Sequence, residues 1–189
     1  MLILAISPGE GFDEARWRSV LSCGIDALMI REKQMEARPL LELTRRAQDL
    51  APELTIWVNG RLDVALAAGC GLHAPEAYPE IPSGLVPLSR PLHDPASFAS
   101  RRAANQLILS PVFESPGKGP GLGVGTLRKW LEELPPFEGA FLALGGVTPE
   151  NASSLSHPRL AGVAMIRSLW NAPDPRAITE KLREAWARR

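Results

Sequence analysis

Little in the sequence marks an exported, membrane or nucleic-acid-binding protein. No apolar run approaches the roughly 20 residues a membrane-spanning helix needs. The N-terminal "MLILAIS" has no basic segment before it and meets Pro8 and Gly9 at once, so it reads as a first strand and not as a signal peptide. Cysteine is scarce: Cys23 and Cys70 are the only two, and without an export signal such a pair reads as free, buried thiols. Neither sign of charge is in excess, since 21 Lys and Arg balance 21 Asp and Glu. Apart from Arg45-Arg46, Arg101-Arg102 and Arg188-Arg189 the basic residues are scattered, which argues against a phosphate-tracking surface for nucleic acid. A P-loop, a Ser-His-Asp spacing and a cysteine-histidine metal cluster are also lacking. These absences lead to the expectation of a cytoplasmic protein with neither a membrane nor a nucleic-acid partner.

What the chain does have is an alternation of strand-like and helical segments along its 189 residues, read as one domain spanning 1–189. The strand candidates are "LILAIS" from Leu2, "ALMIREK" from Ala27, "TIWVNG" from Thr55, "GLHAPE" from Gly71, "LVPLSRPLH" from Leu85, "QLILSPVF" from Gln106, "FLALGGV" from Phe141 and "LAGVAMIRS" from Leu160. Between them, Leu40, Leu43, Ala47 and Leu50, and Leu127, Trp130, Leu131 and Leu134, fall at helical spacing on one face each. Asp94-Pro95, Thr148-Pro149 and Asp174-Pro175 each pair a capping side chain with a proline that needs no N–H acceptor, and mark helix starts. Eight apolar strands covered by helices predict a closed (β/α)8 TIM barrel with short, tight loops, ahead of an open doubly wound sheet. The link between strands 4 and 5 carries Pro79 and Pro82 and is too short for a regular crossover helix, so a degenerate, irregular turn is expected there.

In such a barrel the reacting groups sit at the C-terminal ends of the strands. Gly145 and Gly146, followed by Ile166 and Arg167 on the next strand end, are the candidates for holding a phosphate, because glycine lets an oxyanion approach backbone N–H groups. Arg31 and Lys33 alternate and would offer two cations on one face, although an ion pair with Glu32 explains the pattern equally well. His93, between an apolar strand and the Asp94 cap, is a candidate proton carrier, and His73 stands at another strand end; rim position alone does not separate a catalytic from a structural histidine. The segment "ESPGKGPGLG" from Glu114, with its one cation Lys118, reads as a lid rich in glycine and proline.

The ordered series "IREK", "VNGRLDVALA", "GLHAPE", "LHDPASFA", "SPVFESPGKGPGLG", "ALGGVTPEN" and "GVAMIRSLW" resembles, over nearly the whole chain, the thiamin phosphate synthase and TenI superfamily. The resemblance itself implies a (β/α)8 fold. It also implies departures from the synthase branch, whose strand-3 Asn-Asp and strand-4 acid hold magnesium: the matching positions here are Asn59-Gly60 and Tyr78, and Glu76 and Asp63 stand elsewhere. Pro91 occupies the position of a pyrimidine-contacting serine. His93, in contrast, matches the histidine of TenI-type thiazole tautomerases.

The resemblance therefore implies an isomerase that aromatises a carboxythiazole phosphate, a small phosphorylated thiazole being the partner. His93 is the catalytic residue in this reading, Arg31, Lys33, Asn59 and Lys118 bind substrate, and Gly145, Gly146, Ile166 and Arg167 bind its phosphate. No cofactor is expected, magnesium entering only if the chain is instead a divergent thiamin phosphate synthase. A non-catalytic phosphate-ligand-binding relative is the third reading, and Trp170 leaves a homodimer open.

Overall fold

The computed structural model describes residues 1–115 and 119–187. Eight strands, all parallel, close into a ring in chain order: β1 (Leu2–Ile6), β2 (Ala27–Ile30), β3 (Thr55–Asn59), β4 (Gly71–His73), β5 (Leu88–Leu92), β6 (Gln106–Leu109), β7 (Ala140–Leu144) and β8 (Leu160–Met165). The helices are α1 (Glu14–Leu21), α2 (Ala37–Leu50), α3 (Leu62–Ala68), α4 (Phe98–Arg101), α5 (Gly123–Glu133), α6 (Pro149–Ala152), α7 (Arg167–Trp170) and α8 (Pro175–Ala187). The barrel is thus closed and not an open sheet, and residues 74–87 join β4 to β5 without a helix.

Strict alternation explains why the strands read as continuous apolar runs. Leu4, Ile6, Ala27, Met29, Trp57, Ile108, Leu142 and Ala164 fill the interior of the ring. Their neighbours, such as Ile3, Ala5, Leu28, Ile30 and Val58, point outward into a second core shared with the helices. Leu40, Leu43 and Ala47 of α2 and Leu127 and Leu131 of α5 are the helix side of that core. The proline-marked starts are capped as the sequence predicts: Asp94 accepts from the Ala96 N–H at the start of a 3-10 turn leading to α4, Thr148 forms a capping box with Asn151, and Asp174 accepts from the Ala177 N–H. Cys23 and Cys70 are buried and free, and burial raises the Cys70 thiol to about 11. Among the described residues no helix is long and apolar enough to cross a membrane.

The strands are shorter than the runs quoted from the sequence, and in two of them this bears on the site. β2 ends at Ile30, so Arg31 and Lys33 lie beyond it, and β4 has only three residues. Gly71 is required in β4 because a Cβ there would come within 2.3 Å of the Trp57 ring that plugs the barrel. Closure depends on Gly162 of β8 in the same way: it is paired with Leu2, and a Cβ would stand 1.8 Å from the Leu2 carbonyl oxygen. Gly162→Ala is therefore expected to destabilise the protein by about 1–3 kcal/mol or more, read as a lowered melting temperature. The exposed neighbour Ala161 serves as control, Ala161→Ser melting as the wild type does.

Candidate active site

Strand register builds the mouth of the barrel. Asn59 is level with His73, His73 with Ser89, and Ser89 with Gln106, so residues of four consecutive strands form one polar layer inside an otherwise apolar ring. The Gln106 amide donates to the Ser89 hydroxyl at 3.0 Å, and that hydroxyl lies 2.9 Å from His73 Nδ1. Desolvation, reinforced by the charges of His93, Arg31 and Arg90, pushes the His73 pKa down to about 4. His73 is accordingly neutral near pH 7.

His93 follows β5 and is held differently. Its Nδ1 is 2.7 Å from the carbonyl oxygen of Ser110. A carbonyl only accepts, so Nδ1 carries the proton and the lone pair of the neutral ring is on Nε2. Nε2 stands 4.0 Å from a carboxylate oxygen of Glu76. That carboxylate is gripped by both terminal nitrogens of Arg101, whose buried guanidinium also donates to the Pro91 carbonyl. The bond from Arg101 is the main reason the Glu76 pKa lies below the usual range. Arg101 and Glu76 thus tie α4, β5 and the β4–β5 link together beneath His93. Sequence reasoning missed Arg101, which reads as half of a surface pair; its partner is 25 positions away, and no local spacing points to it.

The other cations separate. Arg31 is partly buried at the mouth, near enough to His73 to depress its pKa, whereas Lys33 is exposed in the turn after β2. The shared face expected for them ends with the strand at Ile30. The alternative pairing with Glu32 does not form either, because Glu32 accepts from the Ser7 hydroxyl at 2.6 Å and from the Gly11 N–H at 2.9 Å. Ser7 in turn accepts from the Arg31 N–H, so this buried carboxylate fixes the β1–α1 loop against the end of β2. Lys118 lies outside the described residues.

Gly145, Gly146, Ile166 and Arg167 come together as walls of one cavity of about 410 Å3 above the ends of β6, β7 and β8. Both glycines have positive φ, +108° and +61°. A Cβ at Gly145 would meet Pro111 at 2.9 Å and one at Gly146 would meet the Glu114 carbonyl at 2.7 Å, so larger residues are excluded by packing as well as by conformation. Ser168 donates to the Val147 carbonyl at 3.0 Å and joins the two loops. Ser110, the acceptor for His93, lines the same cavity, so one hydrogen bond links the histidine to the cavity wall.

The residues present do not suit magnesium. Tyr78 accepts from the Leu62 N–H through its hydroxyl, and the Gly60 N–H donates to the His73 carbonyl. The two carboxylates nearest in sequence, Asp63 and Glu76, are each paired with an arginine, Arg61 and Arg101. Among the described residues no three His, Cys, Asp or Glu side chains gather as a metal site, so the several hard oxygen ligands that the ion requires are not assembled.

A closed parallel barrel with titratable groups and a cavity at the C-terminal ends of its strands defines a (β/α)8 scaffold of the enzyme kind. Within that class the chain belongs to the thiamine monophosphate synthase (TMP-TENI) family, whose sequence model matches residues 6–169. It is 32% identical over 187 residues to a thiamine-phosphate synthase of Moorella thermoacetica, covering 90% of this chain and 87% of that protein. It is 29% identical over 198 residues to one of Thermus thermophilus, covering 97% and 95%. The solved thiamine phosphate pyrophosphorylase of Pyrococcus furiosus superposes with a TM-score of 0.83 at 23% identity, over 98% of this chain and 95% of that one. An enzyme family of thiamin biosynthesis is thereby established. These relatives are named for a transferase, so the expectation of an isomerase draws no support from them.

The partly buried imidazole of His73 has a measurable consequence. Unfolded, His73 takes up a proton below about pH 6.5; folded, it does so only near 4. Between these values the unfolded state holds more protons, and stability falls with pH by on the order of 2–3 kcal/mol. Urea unfolding at about pH 7 and about pH 4.5 is expected to show this loss. His73→Gln should remove most of the difference.

Proposed function

We propose that this chain is a thiazole tautomerase of the TenI type, which aromatises a carboxythiazole phosphate by moving a proton. The observation that carries the reading is the Nδ1–H bond of His93 to the Ser110 carbonyl, at 2.7 Å, which leaves Nε2 as a base. The proton on ring carbon two passes to Nε2. Its bonding pair becomes a double bond to the ring nitrogen, the former carbon–nitrogen double bond shifts to the adjoining ring carbons, and the exocyclic alkene carbon takes the proton back. Glu76 stands 4.0 Å from Nε2, on the side of the ring that carries the proton between the two transfers.

The phosphate would rest against Gly145, Gly146, Ile166 and Arg167, which share one cavity. Arg31 and Asn59 would face the carboxylate, with Lys33 acting from the turn after β2. The arginine-paired state of Glu76 and Asp63 supports a reaction without a metal cofactor. A second reading, a divergent thiamin phosphate synthase that joins a thiazole phosphate to a pyrimidine diphosphate, is favoured by the names of the relatives.

One experiment separates the two: deuterium exchange from heavy water into the carboxythiazole phosphate, without a coupling partner and with EDTA present. Aromatisation that ignores the chelator is expected. Turnover that needs both magnesium and the pyrimidine diphosphate overturns the tautomerase reading. His93→Gln is expected to lower exchange by about a hundred- to ten-thousandfold while phosphate-ligand binding, measured by calorimetry, persists; full activity in that variant removes His93 from its role.

A further inference from the structure

The polar layer beneath the mouth is unusual in its position. Gln106 and Ser89 are almost fully buried, 4% and 0% exposed, on inward-facing positions of a ring otherwise filled with Leu, Ile, Met and Trp. Amide and hydroxyl groups are unfavourable there unless hydrogen-bonded. They form a relay to His73: the Gln106 amide donates to the Ser89 hydroxyl, and that hydroxyl meets His73 Nδ1. A serine hydroxyl has a single proton. With one lone pair of the Ser89 oxygen taken by the Gln106 amide, its own proton is available to His73 Nδ1, 2.9 Å away, and a ring that accepts it is unprotonated at that nitrogen. In that arrangement the remaining proton of the neutral ring is on Nε2.

With Ser89 as the donor, the two imidazoles of the mouth take opposite tautomers. His93 has its lone pair on Nε2 and His73 its proton. We propose that His73 is a second catalytic residue, a neutral hydrogen-bond donor whose Nε2–H meets the substrate carboxylate or ring nitrogen as negative charge builds there, while Gln106 and Ser89 act as positioning residues that fix its tautomer. This rests on the tautomerase reading. The His73 proton never leaves: the migrating proton goes from ring carbon two to His93 Nε2 and on to the exocyclic carbon, and both rings end the cycle as they began. Burial supports the role, since a ring whose pKa is pushed down to about 4 stays a neutral donor and does not compete as a base. A fixed donor aimed at developing charge needs no reorganisation during the reaction.

The test uses the full chain with 15N-labelled histidine. Imidazole spectra report the tautomer directly, and the three histidines are assigned from single substitutions. His73 is expected as the Nε2–H form, and its Nε2–H resonance should move when the aromatic carboxythiazole phosphate is added but not with inorganic phosphate. Ser89→Ala should populate both tautomers and lower kcat about tenfold to a hundredfold, with KM little changed and a lowered melting temperature from the unpaired Gln106 amide, the fold being retained. His73→Gln, which keeps an N–H donor, should retain more activity than His73→Leu. An Nδ1–H ring in the wild type, the form a reversed Gln106 amide would impose, overturns the proposal, as does wild-type kcat in His73→Leu. If the wild type turns over no carboxythiazole phosphate, the tautomerase reading itself fails. His73 is then judged on the tautomer and the ligand shift alone: both present supports its contact with the ligand, and no shift overturns it.

Discussion

Closure of the eight-stranded ring is the constraint on which the rest of the molecule depends. Once Leu2 of β1 is level with Gly162 of β8, the register of every other strand is set around the circle. Alternation within each strand then assigns residues to the interior or to the helix layer, and a slip of one residue would exchange the two. The interior is filled by large side chains at its lower levels, with Trp57 lying over Gly71. Polar side chains follow one another through the register: Asn59 and His73 end β3 and β4, and they lead across to Ser89 and Gln106 near the starts of β5 and β6.

That arrangement lets two chemically identical rings behave differently. His73 is surrounded by low-dielectric packing and bonded to a hydroxyl, while His93 is partly exposed and bonded to a carbonyl. The first environment suppresses protonation; the second directs a lone pair outward and sets a carboxylate 4.0 Å away. Arg101 is central to the second environment, since without its buried guanidinium the Glu76 carboxylate would be free to take another partner. Family membership is common ground for synthase and tautomerase, so the distinction lies in these side-chain environments and not in the fold.

Much of the architecture was legible in the chain. Continuous apolar strands, helical stripes such as Leu40, Leu43 and Ala47, and the three caps followed by proline are local signals, and local physics decides them. The helix-free link of 74–87 was legible too, because prolines and length exclude a crossover helix. The glycines at 145 and 146 marked a place of close approach, and the packing against Pro111 and Glu114 gives that mark its physical reason. The end of β2 was read three residues too far, since Arg31 and Lys33 continue the alternation in sequence while the backbone leaves the sheet after Ile30.

By itself, then, the sequence determined the barrel, the order of its strands and the residue types at their ends, because periodicity, capping and turn chemistry act over a few neighbouring positions. Only the tertiary structure decided which of those residues work together. The tautomers of His73 and His93 depend on Ser89, Gln106 and Ser110, and the charge beside His93 depends on Arg101, partners 16 to 25 positions apart. Hydrogen bonds across such separations arise from strand register, and register is a property of the closed ring.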